Sequence, residues 1–311
     1  MSDWTPDIER LQAYNDEEWM QVERAYCGRL MAYVARRIDD AQAREDVVQE
    51  VFLGAVRGIP SFDAIYTFEQ YLFGICRNRT IDHLRRRSTR GVGASQDSSD
   101  SLPGLDDLVT EAETPSGVVS ERDLASHGQQ LLVEVLREWV QETWQLGEFT
   151  RLMVIEALFH GGWRNRDTWK RFGLRDETAV AGIKFRALKR LRLLATRRDP
   201  TGTLLPRLAE AAGEGTSHLE LGVMQAWKGG RVSCPARYWV ARLIAGNLPE
   251  EPAVFVRFHL DEMGCDFCQA NHDDLARMDA TGEDPFLERI QASTVEFLRS
   301  QIISAESEPR E

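Results

Sequence analysis

Cys234, Cys265 and Cys268 are three of only five cysteines in the 311-residue chain, and His259 stands six residues before Cys265. A Cys-x2-Cys pair at a loop–helix junction sets two thiolates on one side of a tetrahedral metal site. Cys234, at the start of the preceding helix, and His259, on a helix of its own, complete a Cys3His set. Four protein ligands leave no open position, which is the pattern of structural rather than catalytic zinc. The same residues allow two other outcomes: buried thiols without metal, or the reactive thiols of a zinc- or thiol-based redox sensor. Alkylation separates these, because zinc-held thiolates resist it. Cys27 and Cys76 fall on apolar helix faces and are expected in the core. So few cysteines in a chain this long fit no disulfide scaffold and point to a reducing, cytoplasmic setting.

A second chemistry is phosphate binding. The net charge of −12 taken alone argues against a nucleic-acid partner. Its distribution argues the reverse. Residues 77–90 hold six Arg against one Asp, and residues 160–198 hold twelve Lys or Arg against three acids. The acidity is concentrated in residues 91–122 and in residues 199–311, where nineteen acids face ten bases. In the first island Arg77, Arg79, Arg85, Arg86 and Arg87 follow the aromatic cluster Phe62, Tyr66, Phe68 and Tyr71. Guanidinium groups neutralise phosphates, and aromatic faces stack on unpaired bases. A solvated arginine face at a helix end is the plainer alternative. In the second island Lys184, Arg186, Lys189 and Arg190 supply charge above an apolar underside of Val180, Ile183, Ala187, Leu191 and Leu194.

The elements that must carry these groups are helices. Apolar residues recur at three- and four-residue steps over Trp19–Ile38, AREDVVQEVFLGAVRGI and FEQYLFGICRNRTIDHLRRR. No segment alternates as a strand would, so the fold class is all-α. Residues 91–122, rich in Gly, Ser, Pro and Asp, read as a flexible acidic linker. Periodicity resumes at Leu131–Trp144 and Phe149–Phe159. NRDTWKRFG and DETAVAGIKFRALKRLRLLA, separated by Gly173–Leu174–Arg175, have the length and punctuation of a helix-turn-helix. The expected domains are 1–90, a 91–122 linker, 123–198, a 199–218 linker, and a small helical domain at 219–311 ending in the amphipathic PFLERIQASTVEFLRSQI. No run of ~18 apolar residues spans a membrane, and the acidic N-terminus is not a secretory signal.

The run REDVVQEVFLGAVRGIPSFD followed by FEQYLFGICRNRTIDHLRRRS resembles region 2 of bacterial RNA polymerase sigma factors of the extracytoplasmic-function (ECF) group. The resemblance covers roughly residues 20–90 and agrees in order and spacing. It implies that Asp46, Gln49 and Glu50 face core polymerase, and that Phe62, Asp63, Arg77, Asn78 and Arg79 face promoter DNA at its melted minus-ten element. The segment ending in FRALKRLR resembles region 4 of the same group, which reads the minus-thirty-five element, with one inserted residue near Glu177–Thr178. The order of Cys234, His259 and Cys265-x2-Cys268 resembles the zinc-binding anti-sigma domain. That domain places three residues between His and Cys where this chain has five, which makes His272 the substitute ligand.

The combined expectation is an ECF-type sigma factor with a fused zinc-binding anti-sigma-like domain. It would bind core RNA polymerase and promoter DNA, and its acidic C-terminal domain would contact and regulate its own sigma domains. No nucleophile set, phosphate loop or paired-carboxylate site stands out, so its work is binding, not catalysis. The alternatives are a helix-turn-helix regulator acting without polymerase, which would not need the Asp46–Arg87 region, and the redox sensor already named.

Overall fold

A computed structural model describes residues 4–62, 66–90, 118–199, 216–278 and 294–295. Every regular element among the described residues is helical. The elements are α1 (Ile8–Gln12), α2 (Asp16–Ala35), α3 (Ala41–Gly58), a 3-10 turn (Ile59–Ser61), α4 (Phe68–Arg90), α5 (Val118–Gln145), α6 (Phe149–Phe159), α7 (Asn165–Arg171), α8 (Glu177–Arg198), α9 (Thr216–Gly229), α10 (Arg237–Ile244), α11 (Glu250–Asp261) and α12 (Asp266–Met278). They form two compact units. The first is residues 1–99, 240–244 and 266–311; the second is 100–239 and 245–265.

In the first unit α2, α3 and α4 pack around Trp19, Leu30, Val48, Val51, Phe52, Leu72 and Phe73. Their starts are fixed locally. The Asn15 side chain accepts from the Glu18 N–H at the head of α2, and Asp40 does the same for Ala43 at the head of α3. Each satisfies a backbone donor the helix cannot reach, worth about 1 kcal/mol. Cys27 and Cys76 lie in this core, as their spacing predicts. Burial pushes the Cys76 thiol up to about 12, so it is inert at neutral pH.

The helix α12 also belongs to this unit and packs on α2. Phe267 sets its ring edge-on to Phe73 at 5.0 Å, and Ala270 is fully buried. The Arg29 guanidinium lies over the Tyr26, Phe73 and Phe267 rings while pairing with Glu69. Around them Arg36 bonds Asp273 at 3.0 Å and Arg37 pairs with Asp266. Gly28 is the closest approach: a Cβ there would run into the Asp274 carboxylate.

The second unit is built on α5, α6 and α8, with Trp139, Leu152, Ile155, Val180, Ala187, Leu191, Leu194, Trp227 and Phe255 buried. The helix α9 packs on α5 and α6, and α11 packs on α6. The α7–turn–α8 pair appears where the sequence places it. Gly173 takes φ +61 in the turn, and Asp176 caps α8 by accepting from the Ala179 N–H at 2.9 Å. Two expectations differ in extent. The fifth helix begins at Val118, thirteen residues before the periodic pattern at Leu131. The segment 219–311 contributes α11 to one unit and α12 to the other. Residues 91–117 of the expected linker, and nearly all of PFLERIQASTVEFLRSQI, lie outside the described residues.

Candidate nucleic-acid interface and metal centre

On α4 the apolar first half is buried and the arginine-rich second half reaches the surface. Phe68, Leu72, Phe73 and Cys76 anchor the helix, Arg77, Asn78 and Arg79 are half-buried, and Arg85, Arg86 and Arg87 are exposed. Phe62 is half-buried, with its ring T-shaped against Phe68 and Tyr71 at 6.3 and 5.2 Å. The Tyr71 hydroxyl donates to the Ala55 carbonyl at 2.9 Å and fixes that aromatic corner to α3. Asp63 lies outside the described residues. On α3, Asp46 and Glu50 are exposed and Gln49 half-buried, on the side opposite Val47, Val48 and Val51. Asp46 accepts from the Gln42 amide at 3.1 Å.

The helix α8 presents a mixed surface in the second unit. Arg186 and Lys189 are exposed, and the Lys184 ammonium sits 5.7 Å from the Phe159 ring. Arg190 instead forms a two-pronged bond to Glu142 of α5 at 2.9 and 2.5 Å, which commits its fork to the fold. Arg198 is held the same way by Glu138 and Glu134. Phe185 stands 66% exposed between the cations, an apolar group on a charged face.

Cys234, His259, Cys265 and Cys268 come together: one ligand atom from each lies within 4.8 Å of the others, a group that could hold a metal ion. Cys234 sits three residues ahead of α10 rather than at its start, following the turn in which Arg231 takes φ +49. His259 is in the last turn of α11. Gly264, at φ +60, turns the chain so that Cys265 immediately precedes α12, and Cys268 falls in that helix's first turn. The Cys234 and Cys265 sulfurs are 3.7 Å apart. His272 is 41% exposed beside Asp273 and stands outside the group, so the longer His–Cys spacing is absorbed by the α11–α12 turn.

Sequence reasoning missed the residues behind His259. The ring is fully buried, and its Nδ1 is 2.5 Å from Oε1 of Glu156 on α6. Burial alone would depress the imidazole, but the Glu156 carboxylate and then the Cys265 thiol hold it well above the usual histidine value. The Ser233 hydroxyl donates to the same Glu156 oxygen at 2.5 Å, and the Trp227 indole donates to Ser233 at 2.8 Å. One signal was available: Glu156 is the single acid in the apolar run LMVIEALF.

Residues 24–90 match Sigma-70 region 2. The chain is 26% identical to the RNA polymerase sigma-H factor of Pseudomonas aeruginosa over 155 residues, 50% of this chain and 75% of that protein. It is 22% identical to the ECF RNA polymerase sigma factor SigW of Bacillus subtilis over 129 residues, 41% of this chain and 69% of that one. A probable RNA polymerase sigma factor of Haemophilus influenzae is 27% identical over 78 residues, 25% of this chain and 38% of its own length. No solved structure matches the chain. Residues 24–90 thus carry a Sigma-70 region 2 match, and the chain is similar to sigma factors of RNA polymerase, one of them of the ECF group.

Proposed function

We propose that the chain is an ECF-type sigma factor that initiates transcription under the control of its own C-terminal segment, held by a structural zinc ion. In this reading Asp46, Gln49 and Glu50 of α3 meet core polymerase. Phe62, Asp63, Arg77, Asn78 and Arg79 engage the promoter strand as it melts, with Arg85, Arg86 and Arg87 binding phosphates. The α7–α8 pair contacts duplex DNA through Lys184, Arg186 and Lys189. Arg190, tied to Glu142, orients α8 rather than touching DNA.

The seating of α12 on α2 carries the regulatory part. Both helices lie in the unit that contains the Sigma-70 region 2 match, and acids of α12 engage Arg36 and Arg37 at the C-terminal end of α2. Opposite charge orients such a contact and makes it reversible. Zinc suits the donor set of three thiols and one imidazole. Zinc–thiolate bonds of about 2.3 Å set tetrahedral sulfurs about 3.8 Å apart, close to the spacing of Cys234 and Cys265. The ion would supply structure only: it fixes the knuckle from which the chain enters α12.

The test is promoter-dependent transcription by core polymerase with the full chain. Asp266→Lys combined with Asp273→Lys sets like charges against Arg37 and Arg36 and is expected to raise activity several-fold. Equal activity would remove the inhibitory role, and lower activity would reverse its sign.

A further inference from the structure

We infer that Glu156 of α6 is the outer-sphere partner of the metal site: it orients His259 and ties that ligand to the core of its own unit. The inference rests on the zinc reading above and adds to it a residue that the ligand set does not contain. A metal-bound imidazole uses one ring nitrogen for the metal and donates the other N–H to an oriented acceptor, most often a carboxylate or carbonyl. His259 has that division. Its Nδ1 is engaged by Glu156 at 2.5 Å, and the ring's remaining polar neighbours are the Cys234 and Cys265 thiols. With Nδ1 occupied by the carboxylate, Nε2 is the nitrogen left for the thiol cluster.

Glu156 is itself held from two sides. It is fully buried on α6, between Ile155 and Ala157, which are also fully buried. The Ser233 hydroxyl donates to its Oε1, and Trp227, fully buried, donates to Ser233. Ser233 directly precedes the ligand Cys234. The same carboxylate oxygen therefore fixes the ring of one metal ligand and the backbone neighbour of another. A carboxylate buried this deeply needs hydrogen-bond donors, and here they are the Ser233 hydroxyl and the Nδ1–H of His259.

Zinc titration of the full chain, with a chromogenic chelator in competition, tests this. The wild-type chain should bind one zinc, and Glu156→Gln, which keeps the shape and loses the charge, should bind roughly 10- to 100-fold more weakly. Ser233→Ala, which keeps the carboxylate and removes one donor, should lose less. In the cobalt-loaded protein the visible bands of a three-sulfur, one-nitrogen site should shift in Glu156→Gln, because His259 is no longer aimed. In a His259→Cys background, which needs no oriented imidazole, Glu156→Gln should cost little further affinity. Equal zinc affinity of wild type and Glu156→Gln would overturn the inference and leave the zinc reading standing. So would an equal loss in the His259→Cys background, since that marks a merely structural role. A wild-type chain that binds no zinc would overturn the zinc reading first and this inference with it.

Discussion

Glu23 shows how much a single buried group can hold at stake. It is fully buried on α2, and burial lifts its carboxyl from 4.5 to about 7, with Thr294 offsetting only part of the rise. The folded chain therefore keeps a proton that the unfolded chain releases between those values. Stability is fully present below about pH 4.5, falls as pH rises toward 7, and stays lower above it. A shift of that size corresponds to about 3 kcal/mol. Glu23→Gln should raise the melting stability at pH 8 by up to that amount and give no gain at pH 4. Thermal melts at the two pH values read the difference directly.

At the scale of elements, the α2–α12 contact turns on the absence of a side chain. Replacing glycine by alanine inside an exposed helix ordinarily stabilises it by about 1 kcal/mol. At Gly28 the new Cβ meets the Asp274 carboxylate, so Gly28→Ala should forfeit that gain in thermal melts of the full chain. Its promoter-dependent transcription should rise in the same direction as the charge reversals at Asp266 and Asp273. The helices were legible in the sequence where caps and periodicity are local: Asp40 before α3, the turn at Gly173, Asp176 before α8. The early start of α5 was not, because Ser, Gly and acidic residues around 118–130 read as linker composition. Glu156 was visible only as an odd acid in an apolar run. Its partner lies 103 residues away, and no local pattern encodes that distance.

At the scale of the whole molecule, Cys234, His259, Cys265 and Cys268 come together as a group that could hold a metal ion, while the segment that carries them contributes helices to both units. Amphipathic helices record that they bury a face and not whose face they bury. α11 and α12 are neighbours in sequence, joined by the Gly264 turn, yet one packs on α6 and the other on α2. Removing metal should therefore be felt beyond the ligands. With a strong chelator, Cys234, Cys265 and Cys268 should become alkylated within minutes, while Cys27 and Cys76 stay protected by the core. Mass spectrometry of the labelled chain, before and after chelation, distinguishes the two sets. Protection of all five in both states would exclude a metal as the shield.

That α12 is carried on the same chain as α2 has a consequence for dosage. A separate inhibitor must be synthesised in proportion to its target, and its occupancy falls whenever the ratio drifts. A tethered helix is present at one copy per target by construction, so its effective concentration is set by the chain that joins the two helices and not by expression level. Under the proposed regulation, the Arg36–Asp273 and Arg37–Asp266 pairs would form or break within each chain by itself, whatever the amount of protein in the cell.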